Sequence, residues 1–264
     1  YERGIVDERL TGRPLRFGDP KLVEDLLEDI AERRGLGDIL AESTHAVKIF
    51  GPPSADYLIA VKGLPQSDPH DPRIVKSFAL GLAVASRGAD HLRNRPTLDF
   101  LNLPDGMRRD IYGQEVDSAI TSYMTKEVLV KFHEDIYAVV DSLGLCKFIC
   151  HGFNSPHLLT YDHFARLIEL ACGLRFDSGH LREVGARIVD TERLINQREG
   201  LTSKDDTLPK RYFDDPLPLG PYAGERIDRE HFEAMRARYY ARRGWTDDGR
   251  VTPSRIVELQ SIGG

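Results

Sequence analysis

The run Asp141-Ser142-Leu143-Gly144-Leu145-Cys146-Lys147-Phe148 sets a carboxylate and a thiol on either side of a glycine placed to end a helix. Both side chains can then face one ligand. A carboxylate there can accept hydrogen bonds from the amino and ring N–H groups of a heterocycle, and a thiolate can bind iron. The spacing alone also fits a plainer reading, with Asp141 as a helix-terminal acid and Cys146 as a small buried hydrophobe. A second run, Arg87-Gly88-Ala89-Asp90-His91-Leu92-Arg93, combines two guanidinium groups with a histidine. The fork of arginine matches oxyanions, and histidine exchanges protons near neutral pH. The same run could equally be a salt-bridged helix end.

These residues need elements to hold them, and the pattern of the chain is helical. Asp19 caps a helix with Pro20 in its first turn and Leu22, Leu26, Leu27 and Ile30 on one face, stopping near Gly35. A second helix is predicted over 37–49, ended by Gly51-Pro52-Pro53. The segment 62–73, rich in Pro, Asp and Gly, marks a boundary and fits a linker or an ordered turn. Residues 74–86 are apolar or small on nearly every face, which predicts a helix buried on all sides. The stretch 94–124 reads as a long loop with short turns, and loops of that length are often functional. Lys126 to Asp141 has the pattern of an amphipathic helix with Val128, Leu129, Phe132, Ile136, Val139 and Val140 on the buried side. Helices follow over 160–172, 178–196 and 229–243, a loop covers 200–224, and Thr252-Pro253 opens a short final helix. No run of alternating strands stands out, so the fold class is all-α and multihelical. We divide it into a small helical subdomain over 1–62 and a larger helical domain over 63–264.

With 264 residues the chain can bury a real core, and 41% hydrophobic with 30% charged residues is ordinary for a globular protein. The longest apolar stretch, 78–85, is far too short to span a bilayer. A formal charge of −6, from 42 acids mixed among 36 bases, gives none of the basic stripe on which nucleic-acid binders depend. Cys146, Cys150 and Cys172 are an odd set, poor material for a disulfide framework, and point to a reducing cytoplasmic compartment. The first residue is Tyr1 and no signal peptide follows it, so the chain reads as part of something longer.

Further runs accompany the first two: Asp71-Pro72-Arg73, then Glu192-Arg193-Leu194-Ile195-Asn196, then Asp205-Asp206-Thr207-Leu208-Pro209-Lys210-Arg211, and finally Tyr239 to Gly249. In this order and with these separations the set resembles the C-terminal two domains of the aldehyde:ferredoxin oxidoreductase family, over nearly the whole chain. That resemblance implies tungsten, or molybdenum, held between two pterin cofactors, with a 4Fe-4S cluster nearby. Cys146 matches the fourth cluster cysteine of the family. Asp141, with Gly144 and Leu145, matches a pterin-contacting segment. His91 falls where the family has a histidine close to the metal, in position to donate a hydrogen bond to the substrate carbonyl oxygen or to exchange a proton with it. Arg87 and Arg93 fall where cationic groups meet polar and phosphate atoms of the cofactor.

The activity implied is oxidation of aldehydes to carboxylic acids with ferredoxin as electron acceptor. The partners implied are upstream domains or a second chain completing the site, ferredoxin or another redox subunit, and a small aldehyde. Three of the four cluster cysteines are expected outside this chain, which alone cannot assemble the site. A branch of the same family reduces aromatic acyl-CoA thioesters of the benzoyl-CoA type, and the 95–100 segment together with His151 and His157, as candidate pocket residues, keeps that alternative open. From another class, the chain could be a non-catalytic helical interaction module. Arg193, Asp205, Asp206 and Arg211 read as an ion network around a loop, and Trp245 as an anchor for the last helix. Cys150 and Cys172 lack partners at metal-ligand spacing.

Overall fold

The computed structural model describes residues 1, 3–67, 70–150, 152 and 155–261. Its architecture is helical throughout, with one two-stranded hairpin among the described residues. After a single turn, α1 (Glu8–Thr11), comes α2 (Pro20–Ala31), whose N-terminus is capped by Asp19 accepting from the Leu22 N–H at 3.2 Å. Leu22, Leu26 and Ile30 form its inner face, but Leu27 is 62% exposed. One residue past Leu26 is a rotation of about 100°, enough to carry Leu27 off the contact stripe.

The helix expected over 37–49 is broken in two. α3 (Leu36–Ala41) ends before a 3-10 turn at Ser43–Ala46, and α4 (Val47–Phe50) follows. Ser43 has φ of 52°, a left-handed conformation that an α-helix cannot continue through. The segment 62–73 begins as an ordered turn. β1 (Ala60–Val61) and β2 (Leu64–Pro65) pair antiparallel through Lys62 and Gly63, both at positive φ as a tight hairpin turn requires. The Lys62 side chain is buried, with its Nζ 2.8 Å from Asp206 Oδ1.

α5 (Lys76–Val84) is buried along its entire length, as its uniformly apolar and small composition predicts. Within the segment read as loop lies α6 (Asp105–Tyr112), closed by Gly113 at φ 72°. Met107, Arg108, Ile111 and Tyr112 make its inner face, and at eight residues the helix is too short for that pattern to stand out in the sequence. The central element is α7 (Lys126–Ser142). Its predicted apolar face is buried, but so is the opposite one, including His133, Glu134 and Asp135. The amphipathic pattern therefore records charge pairing and not exposure to water. Arg243 donates to Asp135 Oδ1 at 2.6 Å and to Glu134, while the Tyr239 hydroxyl donates to Glu134 Oε2 at 2.6 Å. Two carboxylates, a guanidinium and a phenol thus satisfy one another out of water, as buried charges must.

Around α7 pack α8 (Tyr161–Cys172), α9 (Ser178–Arg198) and α11 (Arg229–Arg243), with α10 (Lys210–Asp214) inside the segment read as loop and α12 (Pro253–Ser261) last. α9 meets α7 at Gly185, where a Cβ would sit 2.2 Å from the Asp135 carbonyl oxygen. Only a glycine permits that approach. Part of the ion network expected around 193–211 forms: Arg193, Asp206 and Lys62 make a buried group to which the Tyr240 hydroxyl donates at 2.5 Å. Asp205 instead accepts from Thr202, and Arg211 pairs with Asp215. Trp245 donates its indole N–H to Asp190 at 2.8 Å, and α12 binds the other oxygen of that carboxylate through Arg255 at 2.7 Å. Trp245 and α12 therefore share one anchor on α9. Among the described residues no helix is long and apolar enough to cross a membrane.

Candidate cofactor-facing site

The C-terminal end of α7 is built by its own sequence. Leu145 N–H donates to Val140 C=O at 3.1 Å and Gly144 N–H to Asp141 C=O at 3.0 Å, the paired bonds of a Schellman stop with Gly144 at φ 66°. Leu145 packs against the cluster that contains Val140, the apolar contact that usually accompanies this stop. The chain then turns away from the core, and Cys146 emerges exposed at the start of the 3-10 turn Lys147–Ile149. Cys150, one turn further on, is fully buried, and burial pushes its thiol up to about 12. Of these two, Cys146 is the thiol that a group from outside can reach.

Asp141, also exposed, accepts from Arg93 Nη1 at 2.8 Å on one oxygen and from Lys147 Nζ on the other. Arg93 reaches with its second nitrogen to Glu192 on α9, so a single guanidinium holds together the 87–95 loop, the end of α7 and the side of α9. The Tyr137 hydroxyl of α7 adds a bond to the Arg95 carbonyl at 3.0 Å. Cationic, carboxylate and thiol groups predicted from two distant runs are in this way brought to one end of one helix. Arg87 is not: it is exposed and pairs with Asp90 within its own loop. Gly88 keeps φ at 97° where a Cβ would strike the Val61 carbonyl oxygen, which fixes the loop against the hairpin.

His91 is partly buried on that loop, stacked on His70 with ring centroids 3.9 Å apart and its Nδ1 3.2 Å from Ser67 Oγ. Burial, then the neighbouring His70 and Arg95, lower its proton affinity below the usual histidine value of 6.5, with Asp90 opposing. Ser67, His70 and Glu192 were not assigned roles from the sequence. His70 directly precedes the Asp71-Pro72-Arg73 run, the one hint available. His157 is exposed, and His151 lies outside the described residues.

The site combines an exposed thiol, an exposed carboxylate held by two cations, and a histidine on the adjoining loop. Among the described residues no group of three or more His, Cys, Asp or Glu side chains is arranged to hold a metal ion. These features define a helical domain that carries a thiol, a carboxylate and cationic groups at one helix end, without a closed metal centre among those residues. The chain belongs to the aldehyde ferredoxin oxidoreductase family, matching its description "Aldehyde ferredoxin oxidoreductase, domains 2 & 3" over residues 1–260. It is 33% identical over 263 residues to the tungsten-containing aldehyde ferredoxin oxidoreductase of Pyrococcus furiosus, covering 98% of this chain and 40% of that protein. It is 28% identical to an aliphatic sulfonate oxidoreductase, WOR-like subunit, of the same organism, over 100% of this chain and 38% of that protein. In structure it resembles the active site complex BamBC of benzoyl coenzyme A reductase, with a TM-score of 0.74 at 20% identity, covering 98% of this chain and 41% of that one. That likeness is one of fold. The chain spans about two fifths of the length of the curated relatives it matches.

Proposed function

We propose that this chain is the cofactor-facing part of a tungsten, or alternatively molybdenum, bis-pterin and 4Fe-4S oxidoreductase that oxidises aldehydes to carboxylic acids with ferredoxin as acceptor. The observation that carries this reading is the convergence of Asp141, Arg93 and Cys146 at the end of α7, with the donor chemistry each task needs. The donor set fits: an accessible thiol suits one cluster iron, and a carboxylate suits the N–H edge of a pterin. Clusters of this type take about four cysteines, so the other thiolates come from beyond this chain. When bound, the tungsten pterin supplies the two-electron redox step.

The chain's own residues supply the rest. Asp141 orients the heterocycle through hydrogen bonds, and Arg93 and Lys147 keep the carboxylate in place. Gly144 and Leu145 shape the turn that exposes Cys146. Arg87, paired with Asp90, presents charge outward for polar or phosphate atoms. His91 holds a proton close to the developing charge on the substrate oxygen, a role worth roughly 10²- to 10⁴-fold in rate. The relatives named for tungsten and aldehyde support this assignment over a purely structural module.

The test is elemental analysis and turnover of the full-length protein that contains this chain. Stoichiometric tungsten or molybdenum with about four irons, and aldehyde-dependent reduction of ferredoxin, are expected. Turnover of benzoyl-CoA in place of aldehydes would move the assignment to the acyl-CoA branch. Metal-free protein from a metal-replete host would make the chain a helical interaction module.

A further inference from the structure

Two side chains outside the ligand set, Ser67 and His70, lie against His91. His70 Nδ1 lies 3.2 Å from the backbone carbonyl oxygen of Ser67 and 3.3 Å from its Oγ. His91 Nδ1 lies 3.2 Å from that same Oγ. A carbonyl oxygen can only accept, so His70 carries its proton on Nδ1 and directs it at the two oxygens of Ser67. The Ser67 hydroxyl, already receiving, is free to donate, and the basic nitrogen within its reach is His91 Nδ1. A neutral imidazole that accepts at Nδ1 bears its proton on Nε2.

We propose that Ser67, oriented by His70, fixes His91 as its Nε2–H tautomer, so that His91 acts as a neutral hydrogen-bond donor toward the substrate oxygen. Ser67 and His70 are thereby positioning residues for His91; the inference rests on the role given to His91 above. Among the described residues Nε2 of His91 has no protein partner, which leaves its proton available for such a contact.

The same array resists a second proton. Protonation of His91 would turn its Nδ1 into a donor and so remove the bond that Ser67 donates to it, leaving the hydroxyl to accept from both rings. It would also place a cation 3.9 Å from the His70 ring and close to Arg95, with Asp90 in opposition. Geometry and charge therefore agree in keeping His91 neutral, and a neutral Nε2–H can donate without first collecting a proton from solvent.

The test is nitrogen-15 NMR of histidine-labelled full-length enzyme, where the two ring nitrogens report their protonation directly, with His91→Gln to assign the signal. The expected wild-type pattern is a protonated Nε2 and an unprotonated Nδ1. Ser67→Ala should give mixed tautomers and a higher titration midpoint for His91. It should also lower kcat about tenfold with KM and tungsten content unchanged. Ser67→Thr, which keeps the hydroxyl, should restore all of these. A wild-type His91 protonated at Nδ1, or a tautomer unchanged by Ser67→Ala, overturns the proposal. The NMR pattern does not depend on turnover. If His91→Gln left aldehyde oxidation intact while the tautomer pattern stood, the failure would lie with the catalytic role of His91 and not with the hydrogen-bond array.

Discussion

Arg93 Nη1 lies 2.8 Å from Asp141 Oδ2, joining two residues 48 apart in sequence that the family resemblance expects to face the same cofactor. The bond makes one site of two runs. It also pins the loop bearing His91 to the helix stop bearing Cys146, so a change at Arg93 should be felt at both.

Arg93→Ala releases Asp141 and Glu192 together. Because both carboxylates are about a third exposed and water screens them, the expected loss of stability is only about 1 kcal/mol. The loss of bound pterin in the full-length protein should be larger than that figure suggests, since Asp141 is then held from one side, by Lys147. Arg93→Lys, which can satisfy one carboxylate but not both, should fall between. Thermal unfolding and pterin content after gel filtration measure the two effects. A variant that loses stability and pterin in equal proportion would show that Arg93 acts on folding alone.

Cys146→Ser should lower the iron content of the full-length protein and abolish its cluster signal in electron paramagnetic resonance, with little effect on folding because the thiol is exposed. Cys150→Ser should do the reverse. That thiol is buried in the α7–α8 core, so iron should be retained while stability falls by about 1–3 kcal/mol for a buried hydroxyl short of partners. Retained iron in the Cys146 variant would remove it from the ligand set.

The lowered proton affinity of His91 fixes a pH dependence. A histidine whose folded value lies below its unfolded value of 6.5 binds fewer protons folded than unfolded between the two. Stability should therefore decline as pH falls from 6.5 toward the lowered value, then level off below it. His91→Gln should flatten that part of the profile. Chemical denaturation at a series of pH values between 4 and 7 would show it; an unchanged slope in the variant would mean that another group titrates there.

Gly185→Ala should be severe, because its Cβ would lie 2.2 Å from the Asp135 carbonyl oxygen, and neither backbone can yield without parting α9 from α7. A cost above about 3 kcal/mol is expected, the upper range for overpacking. Gly144→Ala meets nothing within 4 Å and bears only the strain of its positive φ, about 1 kcal/mol. Comparing the two melting temperatures separates steric need from conformational need at a glycine.

The sequence by itself determined the elements whose signals are local. Asp19-Pro20 started α2, Gly244 ended α11, the unbroken apolar run made α5 a buried helix, and Gly144 stopped α7 where Cys146 had to emerge. Caps, stops and hydrophobic period act within a few residues, so one chain suffices to read them. The break at Ser43, the short helices α6 and α10, and the burial of both faces of α7 depended on what lies opposite in space. Arg243 is 108 residues from Asp135, and no local pattern announces that it will neutralise two acids there. The meeting of Arg93 with Asp141, and of Ser67 and His70 with His91, was likewise decided by the tertiary structure, since hydrogen bonds between distant segments are made by the packing of the elements that carry them.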